Sequence, residues 1–194
     1  MITAIDLLWA VVGLLLTISG TFLEAFVTNP LSFWSSENTS FLSLGVNSQV
    51  GAVLLIACLG GKNAATLSQI AYLTIGLTII PIFSQGGGLG YLQQPTFGYL
   101  LGFIPAAWIT GNIAFKASLK LELLAFSCLS GLFTIHLCGL SYLVIADAWK
   151  ILLASPLNLF EMILKYSFYP LPGQLAVVCA VTVLAYVLRI FMFY

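Results

Sequence analysis

GGGLGYLQQPTFGYLLG, residues 86–102, interrupts a chain otherwise dominated by Leu, Ile, Val and Phe. A glycine-rich stretch invites comparison with a phosphate cradle. A nucleotide loop of the GxxxxGK[ST] type needs a lysine followed by Ser or Thr, and this stretch has no lysine. GGKN at 60–63 has one, but Asn63 follows it and Ile56 stands where the first glycine belongs. The dinucleotide fingerprint fails as well. The glycines at 86, 87, 88 and 90 instead permit tight turns and close backbone approach. Gln93 and Gln94 offer neutral donors and acceptors. Pro95 and Thr96 read as the entry to a helix. On that helix Gly98 and Gly102, four apart, let another helix pack closely.

The surroundings decide where such a turn can sit. Apolar residue types make up 61% of the 194 residues and charged types only 6%. A soluble domain carries about 25% charged residues. This chain cannot cover a water-facing surface, and its excess of apolar side chains is a membrane signature. Net charge is zero, so there is no basic face for nucleic acid. The N-terminal run has no Lys or Arg ahead of it and continues to about Val27, which predicts a retained first helix rather than a cleaved signal. Cys58, Cys128, Cys138 and Cys179 stand in apolar runs with no CxxC pair. They read as small buried hydrophobes, with neither a disulfide nor a metal site expected.

A spanning helix needs roughly 20 mostly apolar residues. Six segments qualify: residues 5–27, 43–59, 64–83, 96–115, 121–146 and 171–189. The expected fold is an all-α membrane protein, six transmembrane helices in one compact bundle, a single domain over residues 1–194. Lys62, Lys116, Lys120 and Arg189 fall on one side, Lys150 and Lys165 on the other beside Glu37, Asp147 and Glu161. The excess of positive charge marks the first side as cytoplasmic, with both termini there. The longer, Gly- and Pro-bearing connections then lie on the opposite face. Irregular backbone at membrane depth is tolerated where protein buries it or water reaches it, so that face is expected to hold a pocket or a cap.

GGLGYL followed by PTFGYLLGF (residues 87–103) resembles the BioY family of biotin transporters, whose members show GG-x-G and then GPTGGYL-x-GF. Gln94 and Phe97 replace two of that motif's glycines. NSQVGAVLLIACLGG is similar to the family's TLQ-led second helix, with Gln49 at its Gln. IHLCGLSYL is similar to a YLLGxxWL stretch, and FYPLPGQL to PFLPGDLLK. The similarity runs over residues 45–177. It implies a substrate-binding (S) component of an energy-coupling factor transporter, taking up a vitamin, with biotin the first candidate. The partners implied are a scaffold membrane subunit and ATPase subunits. Lack of a nucleotide loop agrees with ATP being hydrolysed by a partner.

Two further positions depart from the pattern. Gln174 and Val177 stand where the family has Asp and Lys. Gln174 can still donate to and accept from a ureido ring. Val177 cannot neutralise a carboxylate, and an unpaired buried carboxylate is costly; Lys150 or Lys165 is left as the substitute cation. Biotin is then held differently, another small molecule is bound, or binding has been lost. The expected contacts are Gln49, Gln93, Thr96, Tyr99 and Gln174. For the scaffold, the small residues Gly13, Thr17, Thr21 and Ala25 form an i, i+4 ridge suited to close helix contact, which internal packing explains equally well.

His136, within the fifth expected helix, reads as a neutral histidine bonded to a neighbouring helix. Residues 155–168 read as a short interfacial helix with Ser155 as N-cap, Pro156 at its first turn and Glu161 and Lys165 paired. One histidine and no carboxylate pair make no catalytic set, so neither an enzyme nor a cofactor is expected. The second reading is a former S component retained as a structural or assembly subunit of an unrelated membrane complex. In either case the chain is placed in the lipid bilayer, multi-pass, in a bacterial plasma membrane or an internal membrane.

Overall fold

In the computed structural model, which describes residues 2–28, 41–150 and 157–192, Thr3 opens the first helix, α1 (Ala4–Phe22). The Thr3 N–H donates to Asp6 Oδ2 at 2.8 Å and the Asp6 N–H to Thr3 Oγ1 at 3.2 Å, a reciprocal cap that satisfies two donors left over by the helix. The helix stops before the expected residue 27. Glu24–Thr28 forms strand β1, antiparallel to β2 (Phe41–Asn47), with Phe26 opposite Ser43 and Val27 opposite Leu42. Residues assigned from sequence to the ends of two helices therefore form a hairpin. Phe26, Val27 and Val46 suit a pleated surface, and periodicity does not separate a short apolar strand from a helix. Glu37, used above for orientation, lies outside the described residues.

The second and third expected helices form one helical run, α2 (Gln49–Thr78). It is folded back on itself at Gly61, whose backbone (φ 77, ψ 177) is non-helical. Gln49 Nε2 reaches the Tyr72 hydroxyl at 2.7 Å, whereas 23 residues of straight helix would separate them by about 34 Å. The left-handed φ favours glycine, and the GGKN stretch supplies it. Gly13 of α1 lies between the two arms: a Cβ there would sit 2.6 Å from Ile56 Cγ1 and 2.9 Å from Ser68 Oγ.

After α2 the glycine-rich stretch folds back onto the helix it leaves. The Gly88 N–H donates to the Gly76 carbonyl at 2.8 Å, and Phe83 and Gly86 exchange backbone bonds at 2.9 and 3.0 Å. A Cβ on Gly87 would lie 2.6 Å from both Gly76 O and Pro81 Cα, so only glycine allows this approach,. Phe83 stacks between Tyr72 at 5.3 Å and Tyr91 at 4.6 Å. A 3-10 turn, Leu89–Gln93, then delivers the chain to α3 (Phe97–Ala114).

α3 packs along α4 (Leu121–Ala148) through the two glycines singled out in the sequence. A Cβ on Gly98 would meet Tyr142 Cβ at 2.2 Å, and one on Gly102 would meet Ile135 Cα at 3.0 Å. Beyond α4, a short helix α5 (Leu159–Ile163) passes through a π turn (Leu164–Phe168) into α6 (Leu171–Phe191). The expected cap Ser155 and Pro156 lie outside the described residues. Asn158 is the N-cap, and Glu161 Oε2 accepts from its N–H at 3.1 Å rather than serving Lys165. α2 contacts α1, α3 and α6, and α4 contacts α3 and α6.

Among the described residues, five helices are long and apolar enough to cross a membrane, the last counted from Leu159 through Phe191. Their outer faces carry exposed Leu8, Leu15, Phe133, Val183 and Phe191, an apolar surface that lipid accepts and water does not. Cys58 and Cys128 are buried neighbours with Sγ atoms 3.6 Å apart, while Cys179 faces outward from α6.

Candidate binding site

A cavity of about 220 Å³ opens where β2, the glycine-rich segment, α3, α4 and the start of α6 converge. Backbone packing brings these distant segments together. A Cβ on Gly173, at the start of α6, would lie 2.4 Å from the Leu44 carbonyl, so the helix seats directly on the hairpin. That contact sets Gln174 beside Asn47 and Gln49 on the cavity wall.

Four of the five expected contacts line this cavity: Gln49, Thr96, Tyr99 and Gln174. Gln93 does not. It is exposed at the end of the 3-10 turn, because that turn buries Tyr91 and directs Leu92 and Gln93 outward. Tyr91 lines the cavity in its place, with its hydroxyl 3.0 Å from Thr96 Oγ1. Asn47, Ser84 and Tyr166 are wall residues that the sequence reading missed. Asn47 stood near the start of an expected helix and Ser84 in the connection just past another, so no side-chain direction was available for them.

The polar side chains are held from behind. Gln49 donates to Tyr72 Oη at 2.7 Å, Thr21 Oγ1 lies 3.3 Å from the same oxygen, and Tyr72 donates to the Ile82 carbonyl at 3.3 Å. Tyr72 is fully buried. Tyr72→Phe strands the Gln49 donor, and an unsatisfied buried donor costs about 1–3 kcal/mol. The expected result is a lower thermal unfolding midpoint in detergent; an unchanged midpoint would show that Gln49 finds another acceptor.

A second set spans α3, α4, the π turn and α6. The Tyr99 hydroxyl lies 2.6 Å from Ser167 Oγ, Ser167 Oγ 3.2 Å from His136 Nδ1, and His136 Nε2 2.6 Å from Gln174 Oε1. His136 is therefore bonded to neighbouring segments, as expected. Its partners are the unexpected part: one is an expected ligand contact, Gln174, and Ser167 links it to another, Tyr99.

Among the described residues no charged side chain lines the cavity. Lys165 Nζ lies 5.4 Å from the ring centroid of Tyr166, itself a wall residue. Lys150 lies past the end of α4, exposed. Val177 faces away from the cavity and packs on α2, where a Cβ on Gly51 would lie 2.8 Å from its Cγ1. Among the described residues no group of three or more His, Cys, Asp or Glu side chains could hold a metal ion.

The small-residue ridge is used inside the fold. Gly13, Thr17 and Thr21 are buried on α1, with Thr17 Oγ1 accepting from Gln69 Nε2 at 3.1 Å. Ala25 is not on the helix but in β1. The expected four-residue docking ridge is corrected accordingly, since helix spacing ends at Phe22. A larger cavity of about 500 Å³ lies between α1, the hairpin, α2 and α6. Its walls include exposed Leu16, Leu23, Phe26 and Leu184, and its carboxylate, Glu24, accepts from Ser43 Oγ. It offers apolar volume for lipid, while the smaller cavity carries the convergent polar groups expected of a ligand site.

The family model described as the BioY family matches residues 2–192. An uncharacterized 21.2 kDa protein in the psbX-ycf33 intergenic region of Cyanophora paradoxa is 30% identical over 184 residues, 94% of each chain. A probable biotin transporter BioY of Lysinibacillus sphaericus is 49% identical over 63 residues, 32% of each chain. A biotin transporter BioY of Thermotoga maritima is 41% identical over 69 residues, 35% of this chain and 41% of that one. Among solved structures, the S-component for biotin from an ECF-type ABC transporter, at 2.1 Å, superposes with TM-score 0.67 and 18% identity. The match covers 95% of this chain and 90% of that one, and at that identity it speaks for the fold.

Proposed function

The chain belongs to the BioY family, and from that premise we propose that it is the substrate-binding component of a vitamin uptake system, with biotin as its ligand. It is a multi-pass membrane protein of a transport family rather than an enzyme. The observation that carries the reading is the cavity itself: neutral amides and hydroxyls on aromatic and aliphatic walls, with no charged lining among the described residues. A ureido ring asks for neutral donors and acceptors, and a thioether ring for apolar contact. Gln49 and Gln174 meet the first need, with Thr96 beside them. Tyr99 and Phe103 meet the second.

The carboxylate tail then points toward Lys165, the cation next to wall residue Tyr166. An exposed pair of this kind contributes about 0–1 kcal/mol. Lys165→Gln is expected to weaken biotin by up to about fivefold on that scale and to leave biotin methyl ester unaffected. Equal weakening of both ligands would remove Lys165 from the tail.

In this reading the two arms of α2 cross as a pair, making six crossings with both termini cytoplasmic. The host membrane is a bacterial plasma membrane or an internal one. A scaffold membrane subunit meets the outer face of α1, since Gly13, Thr17 and Thr21 are taken up internally, and ATPase subunits power release inward. The direct test is equilibrium binding of radiolabelled biotin to the purified protein. Saturable binding tighter than about millimolar, the level worth roughly −4 kcal/mol, supports the reading. Its absence up to that concentration, together with co-purification of an unrelated membrane complex, would favour a structural or assembly subunit instead.

A further inference from the structure

The bonds around His136 form a chain with a direction. Gln174 Oε1 can only accept, so the His136 Nε2 facing it at 2.6 Å carries a proton,. His136 is 8% exposed, and its hydrogen-bond partners Ser167 and Gln174 are both neutral. An unpaired buried charge is costly, which favours the neutral ring. Its Nδ1 is then an acceptor, so the Ser167 hydroxyl donates to it across 3.2 Å. Ser167 Oγ, having spent its proton, accepts from the Tyr99 hydroxyl at 2.6 Å. Two consequences reach the cavity. The Gln174 amide nitrogen is left with its N–H groups available to the cavity, and Tyr99 Oη is left with a lone pair.

We propose that His136 is a specificity-determining positioning residue: its Nε2–H tautomer fixes Gln174 as a donor and Tyr99 as an acceptor toward the ligand. The complementary ligand carries an acceptor and a donor side by side, as the C=O and N–H of a cyclic urea do. The opposite tautomer would reverse every bond in the chain. Gln174 would then present its carbonyl and Tyr99 its hydroxyl proton, and the site would favour a ligand of inverted pattern. His136 touches no ligand in this account; it acts through Gln174 and Ser167. The ligand assignment rests on the biotin reading above, whereas the tautomer does not.

The test has two arms. The chain has one histidine, so its 15N-labelled imidazole gives an unambiguous NMR signal in the detergent-solubilised protein without any ligand. The expected spectrum shows a protonated Nε2 and an unprotonated Nδ1. Ser167→Ala should move chiefly the Nδ1 resonance and Gln174→Ala chiefly the Nε2 resonance. A protonated Nδ1 beside a bare Nε2, or resonances that neither substitution moves, would overturn the proposal whatever the ligand is. The second arm compares biotin with 2-iminobiotin, a cyclic guanidinium near neutral pH that presents N–H where biotin presents C=O. The parent protein is expected to favour biotin by about tenfold or more, the scale of a mismatched buried hydrogen bond. In His136→Leu, where Gln174 is released to turn over, that ratio should fall severalfold, leaving the part set by desolvating the guanidinium charge. A ratio unchanged in His136→Leu would remove His136 from specificity. If neither compound binds the parent, the vitamin reading fails while the spectrum still decides the tautomer.

Discussion

Gly111→Val is expected to lower stability by at least about 3 kcal/mol, the upper range for overpacking a tight contact. A Cβ at Gly111 would lie 2.5 Å from Lys62 N, 2.6 Å from Lys62 Cα and 2.8 Å from Gly61 C. All three are backbone atoms, so no rotamer change relieves the clash. They also belong to the point where α2 reverses, held by a left-handed Gly61. Moving that turn would pull apart the two arms that place Gln49 against Tyr72. The thermal midpoint in detergent should fall by roughly 6–12 °C, at two to four degrees per kcal/mol for a chain of this size. Gly90→Ala is the control, because a Cβ there meets nothing within 4 Å, and it should stay within about 0.5 kcal/mol of the parent. A Gly111→Val midpoint within about 2 °C of the parent, less than 1 kcal/mol on that scale, would mean that α3 does not press on the α2 turn as described.

Gln174→Leu is expected to weaken biotin binding by about 10- to 100-fold, the scale of losing a donor to a buried ligand carbonyl. The substitution keeps the volume and removes both polar ends. It takes the donor away from the cavity and leaves His136 Nε2–H, 2.6 Å from Gln174 Oε1 in the parent, without its acceptor. The loss should appear in equilibrium binding of radiolabelled biotin. Gln93→Ala, on an exposed residue away from the cavity wall, should bind as the parent does. Parent-like binding by Gln174→Leu, or a loss in Gln93→Ala, would move the site elsewhere.

The third and fourth long helices end within two residues of their expected limits, since 96–115 became Phe97–Ala114 and 121–146 became Leu121–Ala148. Long apolar runs bounded by Pro95, Lys116, Lys120 and Asp147 leave little choice. The hairpin was not legible, because EAFVT and FLSLGVN each have the apolar content of the neighbouring helix. Pairing across an intervening segment made them strands. Of the polar residues chosen as contacts, Gln93 lies away from the cavity because its 3-10 turn directs it outward, and a run of glycines does not reveal which way a turn will face.

Composition by itself determined that this chain lives in lipid: with 6% charged residues no folding pattern could present a water-facing surface. The motif around residues 87–103 determined the family, since glycines required for backbone contact leave a trace in sequence. The reversal of α2, the inward use of Gly13 and Thr17, and the chain from Tyr99 through Ser167 and His136 to Gln174 were decided only by the tertiary structure. Ser167 and Gln174 stand 31 and 38 positions from His136. Hydrogen bonds of that kind depend on distances of about 3 Å between helices, and helix packing sets those distances through close contacts such as Gly173 on the Leu44 carbonyl.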